Sequence, residues 1–273
     1  MPALASIRGL AALVTGASSG IGRALALRLA GEGARVALVA RRESELEALA
    51  EEVREAGSEA LVLPCDVADR EAAEAASRRA AERFGGIDLL VNNAGYGGHR
   101  RFLDWDVADM ERMLRVNYLG AVYFTKALVP AMVERRRGWL VFVASVAGRI
   151  ATPDESAYAA SKFALVGLAS ALDLELEEAG VHVLTVCPGV IRTPFFDAEA
   201  LERMPPVARR GMVEVDGLVE AVLRALARGR HTLTYPRGIA AGYAVQALAP
   251  GFMRGQVKRN TIDAVAKGER QTR

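Results

Sequence analysis

Short apolar runs alternate with longer amphipathic stretches along the chain, at the spacing of repeated strand–helix units. Ala11–Thr15, Val36–Ala40, Ala60–Leu63, Leu89–Asn92, Leu140–Ala144 and Val181–Cys187 are rich in Val, Leu and Ala. Runs of that length and content predict strands buried on both faces. Thr232–Tyr235 fits as a seventh. Between them, Gly22–Ala30, Glu43–Ala56, Arg70–Phe84 and Tyr158–Ala179 carry helical patterns. Gly57, Gly85–Gly86 and Gly180 follow those helices, where C-terminal caps belong. Such alternation predicts an α/β fold, a doubly wound parallel sheet of about seven strands with helices on both faces. No linker, repeat or low-complexity tract interrupts the pattern, so residues 1–273 are expected to form one domain.

Composition narrows the class. Of 273 residues, 51% are hydrophobic and 25% charged, which excludes disorder over most of the chain. Lys and Arg total 35 against 33 Asp and Glu, a net charge of +2 with no dense basic stripe, so no nucleic-acid partner is expected. The run Arg135–Arg137 reads as a solvated helix end. Cys65 and Cys187 each adjoin a predicted buried strand and do not make a disulfide framework, which favours a reducing compartment. His99, His182 and His231 are far apart, without metal-ligand spacing, and no metal is expected. The opening residues lack the features of a signal peptide. No uninterrupted apolar run reaches the roughly 20 residues of a bilayer span, so a cytoplasmic protein without a transmembrane segment is expected.

The candidate chemistry sits at strand ends. Thr15-Gly16-Ala17-Ser18-Ser19-Gly20-Ile21-Gly22 follows the first strand and opens a helix. Three glycines there let the backbone turn sharply and approach a pyrophosphate, whose charge meets the helix N-terminus; the alternative is a plain glycine turn. Tyr158 and Lys162 stand four apart on a predicted helix and share a face. A nearby ammonium favours the phenolate and would bring a poor base into working range, unless the two are an ordinary surface pair. Ser145 and Asn92-Asn93-Ala94-Gly95 end neighbouring strands and face the crevice expected at the carboxyl edge of such a sheet. Asn117 lies in a long helical stretch, where a kink or a solvated side chain is the competing reading.

The end of the second strand bears on the cofactor. A dinucleotide site that reads a free ribose places an acid there; this chain has Ala40, followed by Arg41 and Arg42. Guanidinium groups suit a 2′-phosphate, and Ser18 can add a hydrogen bond from the glycine turn, so NADP (NADPH) is expected ahead of NAD.

Taken together, these residues resemble the short-chain dehydrogenase/reductase family in its single-domain form. The resemblance is carried by TGASSGIG at Thr15–Gly22, Asp66-Val67, NNAG at Asn92–Gly95, Asn117, Ser145, YAASK at Tyr158–Lys162, and Pro188-Gly189 with the following Thr193. It implies a Rossmann-type sheet and an NADP-linked interconversion of a ketone or aldehyde and an alcohol. It further implies Tyr158 as general acid or base, and Lys162 lowering its pKa while holding the nicotinamide ribose. Ser145 would bind the substrate oxygen, and Asn117 would position a water that links Lys162 to solvent. Gly16, Ser18, Ser19, Gly20, Ile21 and Gly22 would cradle the cofactor, with Arg41 and Arg42 at its phosphate. Asp66 and Val67 would meet the adenine, and Asn93, Ala94 and Gly95 would line the cleft. Pro188, Gly189 and Ile191 would complete it, and Thr193 would hold the carboxamide. One departure is Ser19, where NADP-preferring relatives often carry Lys or Arg.

Two segments bear on the substrate. Residues 194–214 read as a lid: Pro194-Phe195-Phe196 and Met204-Pro205-Pro206-Val207 form an apolar flap opposite Tyr96 and Gly97-Gly98. Such a flap suits a hydrophobic carbonyl or alcohol, or else packs on itself. Residues 236–273 form a C-terminal extension whose apolar part is Ile239–Met253. As a helix that part would extend only about 22 Å, short of the roughly 30 Å hydrocarbon core, and Pro250-Gly251 would break it. A pocket lid or a subunit contact is expected ahead of a monotopic anchor, because the polar face of an interfacial helix is nearly absent before Arg254. A homodimer or homotetramer is expected. The competing functions are an NADP(H)-binding sensor and a membrane-associated adaptor on the same scaffold; a sensor would be expected to lose Tyr158 or Lys162, and both are present.

Overall fold

Seven strands pair in parallel in a computed structural model that describes residues 3–196, 201, 204 and 206–261. They are β1 (Ala11–Thr15), β2 (Arg35–Ala40), β3 (Ala60–Pro64), β4 (Leu89–Asn92), β5 (Gly138–Val143), β6 (Val181–Pro188) and β7 (Thr232–Tyr235). Their order across the sheet is β3-β2-β1-β4-β5-β6-β7. The chain winds outward from β1 to β3, then returns to place β4 on the other side of β1. That reversal opens a crevice at the carboxyl ends of β1 and β4, where ligands of open α/β sheets bind.

Strand alternation explains why the runs are apolar throughout. Ala12 and Val14 of β1 face a layer formed by α1 (Gly20–Gly31), α2 (Glu43–Glu55) and, later in the chain, the helix over Val215–Ala227. Ala11 and Leu13 face the opposite layer of α3 (Arg70–Phe84) and the helices over Gly120–Glu134 and Ser156–Leu176. Both sides of each central strand are therefore in a core.

The predicted strands and helices are present, with shifts at their ends. β5 begins at Gly138 rather than Leu140, because Trp139 pairs through its amide with the Asp88 carbonyl. Ala144 still bonds the Val186 carbonyl just beyond the strand. The long helical stretch around Asn117 is not uniform: α4 (Val107–Leu114) passes through a π-helical turn, Arg115–Leu119, into α5 (Gly120–Glu134). This span and α6 (Ser156–Leu176) each contain an 18-residue window of mean hydropathy 1.2. Their inner faces, with Phe124, Leu128, Leu165 and Ala169, are part of the layer that covers the sheet.

After α7 (Val215–Ala227) and β7, the extension forms α8 (Ala240–Leu248) and α9 (Pro250–Asn260). The expected break occurs at Ala249, and Pro250 occupies the first turn of α9, where its missing N–H costs nothing. Of the predicted lid and extension, residues 197–200, 202–203, 205 and 262–273 lie outside the described residues.

Candidate active site

The glycine turn is held by its neighbours before any ligand is considered. The Thr15 hydroxyl accepts the Asn93 and Ala94 amides, each at 3.0 Å, which ties the end of β1 to the end of β4. Asn93 Nδ2 donates to the Thr15 carbonyl at 2.9 Å. Gly16 has φ +66°, and a Cβ there would lie 2.8 Å from Ala94 Cα. A Cβ on Gly22 would lie 2.3 Å from the Gly16 carbonyl oxygen, so the third glycine serves close helix–turn packing. Gly22 does not line the cavity beyond the turn, whereas Gly16, Ser18, Ser19, Gly20 and Ile21 do. No side chain caps the α1 N-terminus, so its opening amides are left for an anion.

That cavity measures about 1260 Å³ and crosses the carboxyl edge of the sheet. At one end Arg42 Nη2 donates to Ser18 Oγ at 2.9 Å, and Arg41 stands close enough to act on the charge of Asp66. Burial raises the Asp66 carboxyl, but the Ala68 amide and Arg112 outweigh it and hold the group below the usual carboxylate range. Arg112 Nη2 reaches Asp66 Oδ2 at 2.5 Å. Arg112 was not among the expected residues. It lies 46 positions from Asp66 and no local pattern connects them.

At the centre, Ser145 ends β5 and Tyr158 and Lys162 project from α6. Ser145 Oγ accepts the Ala147 amide at 3.1 Å and stands close enough to the Tyr158 phenol to favour its ionised form. Tyr158 and Lys162 are 9% and 3% exposed, which excludes the surface-pair reading. Lys162 Nζ lies 5.8 Å from the Tyr158 ring centroid and donates to the Val143 carbonyl at 2.9 Å. Burial pulls the Lys162 ammonium down to about 8. Burial pushes the Tyr158 phenol up, partly offset by Ser145. In this environment desolvation, rather than the lysine, sets the direction of the tyrosine shift.

Asn117 does not line the cavity. It is 1% exposed within the π-helical turn. Its Nδ2 donates to the Tyr96 carbonyl and to Ser161 Oγ, each at 2.9 Å, and its Oδ1 accepts the Tyr96 amide at 3.0 Å. The side chain therefore clamps the loop after β4 to α6, with a lone pair on Oδ1 left for a water. Asn92 points away from the crevice and donates to Thr125 Oγ1 in α5 at 3.0 Å. Asp66, Val67, Asn93, Ala94, Gly95, Pro188, Gly189, Ile191 and Thr193 all line the cavity. Cys65 and Cys187 are free and buried, and burial pushes Cys65 up to about 11.

The far end is apolar. The Phe195 ring stands 5.8 Å from the Tyr158 ring, and Ile150, Phe196 and Met204 extend the wall. From α9, Met253, Gln256, Val257 and Asn260, with Thr261 just beyond its end, complete it at the spacing of one helical face. The sequence bounds only the apolar part of this extension at Met253, and the cavity-lining residues continue beyond it within the expected 236–273 extension. Beside Tyr158, Glu155 accepts the Thr152 hydroxyl and lies 3.5 Å from His99 Nδ1.

Comparison with known proteins adds relatives. Residues 10–203 match the family described as short chain dehydrogenase. The chain is 39% identical over 203 residues to oxidoreductase UcpA of Salmonella typhimurium, covering 74% of this chain and 77% of that protein. It is 35% identical over 255 residues to 3-dehydrosphinganine reductase of Danio rerio, covering 90% and 76%. Among solved structures, a short chain dehydrogenase/reductase from Burkholderia phymatum in complex with NAD superposes with a TM-score of 0.82 at 28% identity, covering 89% and 94%.

Proposed function

The chain belongs to the short-chain dehydrogenase family, and from that premise we propose that it is an NADP(H)-dependent oxidoreductase interconverting a hydrophobic ketone or aldehyde and its alcohol, with Tyr158 as acid and base. The observation that carries this reading is the convergence of Tyr158, Ser145 and Lys162 between the glycine turn and an apolar pocket.

The residues present fit a nicotinamide dinucleotide. The uncapped N-terminus of α1 offers amides to a pyrophosphate, and the Gly16–Gly22 contact leaves no side chain in the way. Asp66 and Val67 would meet the adenine, Arg41 and Arg42 the 2′-phosphate, and Thr193, Pro188, Gly189 and Ile191 the nicotinamide end. Ala40 in place of an acid removes the repulsion a 2′-phosphate would otherwise meet. The NAD complex of the Burkholderia relative is a property of that protein.

When bound, the nicotinamide supplies or accepts the hydride. Tyr158, its proton retained by burial, donates that proton to the substrate oxygen during reduction and withdraws one in the oxidative direction. Ser145 hydrogen-bonds the same oxygen and stabilises its developing negative charge. Lys162 holds sugar hydroxyls and, while charged, favours the phenolate left behind. Asn117 fixes Tyr96 and Ser161 around this centre. Phe195, Met204, Met253 and Val257 take the apolar part of the substrate. The homo-oligomer reading is supported by Phe163 and Leu174 of α6, 44% and 76% exposed.

Tyr158→Phe tests the assignment. Turnover is expected to fall by about 10²–10⁴-fold with cofactor affinity unchanged, because only the proton-transfer group is lost. Near-normal turnover in this variant would remove Tyr158 from the chemistry.

A further inference from the structure

The helical hairpin of α8 and α9 presents two unlike faces. Its inner face is occupied: Met253 and Val257 line the cavity, and Tyr243 lies beneath the Arg149 guanidinium, 5.4 Å from ring centroid to cation. Its outer face exposes Ala240, Ala241, Ala244, Ala247, Leu248 and Phe252. Leu248 is 87% exposed and Phe252 58%. The charges that the hairpin itself carries have one sign. Residues 236–261 contain Arg237, Arg254, Lys258 and Arg259 and no Asp or Glu, in a chain whose total charges nearly balance at 35 to 33.

We propose that this outer face docks on an anionic lipid surface, so that the hairpin lies between a membrane and the roof of the cavity. An interfacial helix ordinarily needs a polar face of its own, because its far side meets water. Here the far side meets protein, so the scarcity of polar positions in Ile239–Met253 does not count against lipid contact. Exposed Leu and Phe supply apolar insertion, and the four cations supply attraction to acidic headgroups. A second copy fits less well, since a twofold contact through this hairpin would bring two faces of the same charge together. The other exposed apolar loop, Phe102, Leu103 and Val107, carries Asp104, Asp106 and Asp109 and lacks this charge pattern.

Flotation of the full chain with vesicles tests the proposal independently of any enzymatic activity. Binding is expected to vesicles of equimolar phosphatidylglycerol and phosphatidylcholine, not to phosphatidylcholine alone, and is expected to weaken as salt rises. Leu248→Glu with Phe252→Glu, and separately Lys258→Glu with Arg259→Glu, should each reduce binding by at least about tenfold with melting temperature unchanged. No binding to the acidic vesicles, equal binding to both kinds, or full retention in both variants overturns the proposal. So does light scattering that finds an oligomer which Leu248→Glu with Phe252→Glu dissociates, since a second copy then covers the face.

Discussion

At the glycine-turn end of the cavity, Gly16, Gly22, Thr15 and Asn93 come from two short motifs and meet through backbone atoms, the Thr15 hydroxyl and the Asn93 amide. At the apolar end, Ile150, Phe195 and Met204 of the 194–214 segment, and Val257 come from three stretches far apart in the chain and share only the wall of one cavity. The first end tolerates little change, because a single added carbon at Gly22 would stand 2.3 Å from a carbonyl oxygen. The second can be reshaped by exchanging one apolar group for another, at a cost set by volume. A scaffold of this kind keeps its reaction while its substrate varies.

Lys162 stands between the two ends, so its loss should have the largest effect on the contrast. Lys162→Met is expected to lower turnover by about 10²–10⁴-fold and also to weaken cofactor binding, unlike Tyr158→Phe. Intact cofactor affinity in the Met variant would assign the lysine to chemistry alone. Its pH signature is specific to the cofactor-free protein. The folded-state value of about 8 lies below the ordinary 10.5, so the cost of burying the charged ammonium is fully present below about pH 8. That cost fades as pH climbs toward 10.5, and the wild type should gain on Lys162→Met by up to about 3 kcal/mol across that window. Denaturant melts of both proteins at several pH values read the slope; a flat difference would show that the ammonium is not desolvated.

Ala40→Asp with Arg41→Ser should act on the glycine-turn end alone. A charge-assisted phosphate contact is worth roughly 1.5–3 kcal/mol, so preference is expected to move from NADPH toward NADH by about one to two powers of ten. Titration of both cofactors onto this variant checks the shift, and an unchanged ratio would place the selectivity elsewhere. Val257→Trp should do the reverse. Filling the apolar end is expected to raise KM for a bulky ketone by about three- to tenfold while cofactor affinity stays constant. An equal loss of cofactor affinity would mean that the two ends are not separable.

The difference between the ends also explains what was legible in the sequence. The sheet, its strand ends, the glycine turn and the Tyr158–Lys162 pair are contiguous patterns, and each is found where the pattern places it. The Asp66–Arg112 pair joins positions 46 apart and left no trace. Asn117 is singled out by the family resemblance and not by its local pattern, because its contacts depend on a π-helical turn and on Tyr96 and Ser161 folding against it. The directions of the Tyr158 and Lys162 shifts were also out of reach, since desolvation is set by packing from distant segments. The cavity face of α9 begins where the apolar run ends, and mixed residues such as Gln256 and Asn260 carry no hydrophobic signal.

The central claim is that this chain transfers hydride between NADP(H) and an apolar carbonyl compound. The most direct test is the initial rate of nicotinamide oxidation by the full chain, with NADPH and with NADH, across a panel of hydrophobic ketones and aldehydes. The account predicts turnover of at least one apolar carbonyl, with kcat/KM for NADPH exceeding that for NADH by about tenfold or more. Equal rates with the two cofactors would contradict the role given to Arg41 and Arg42, and no turnover of any carbonyl with either would contradict the claim itself.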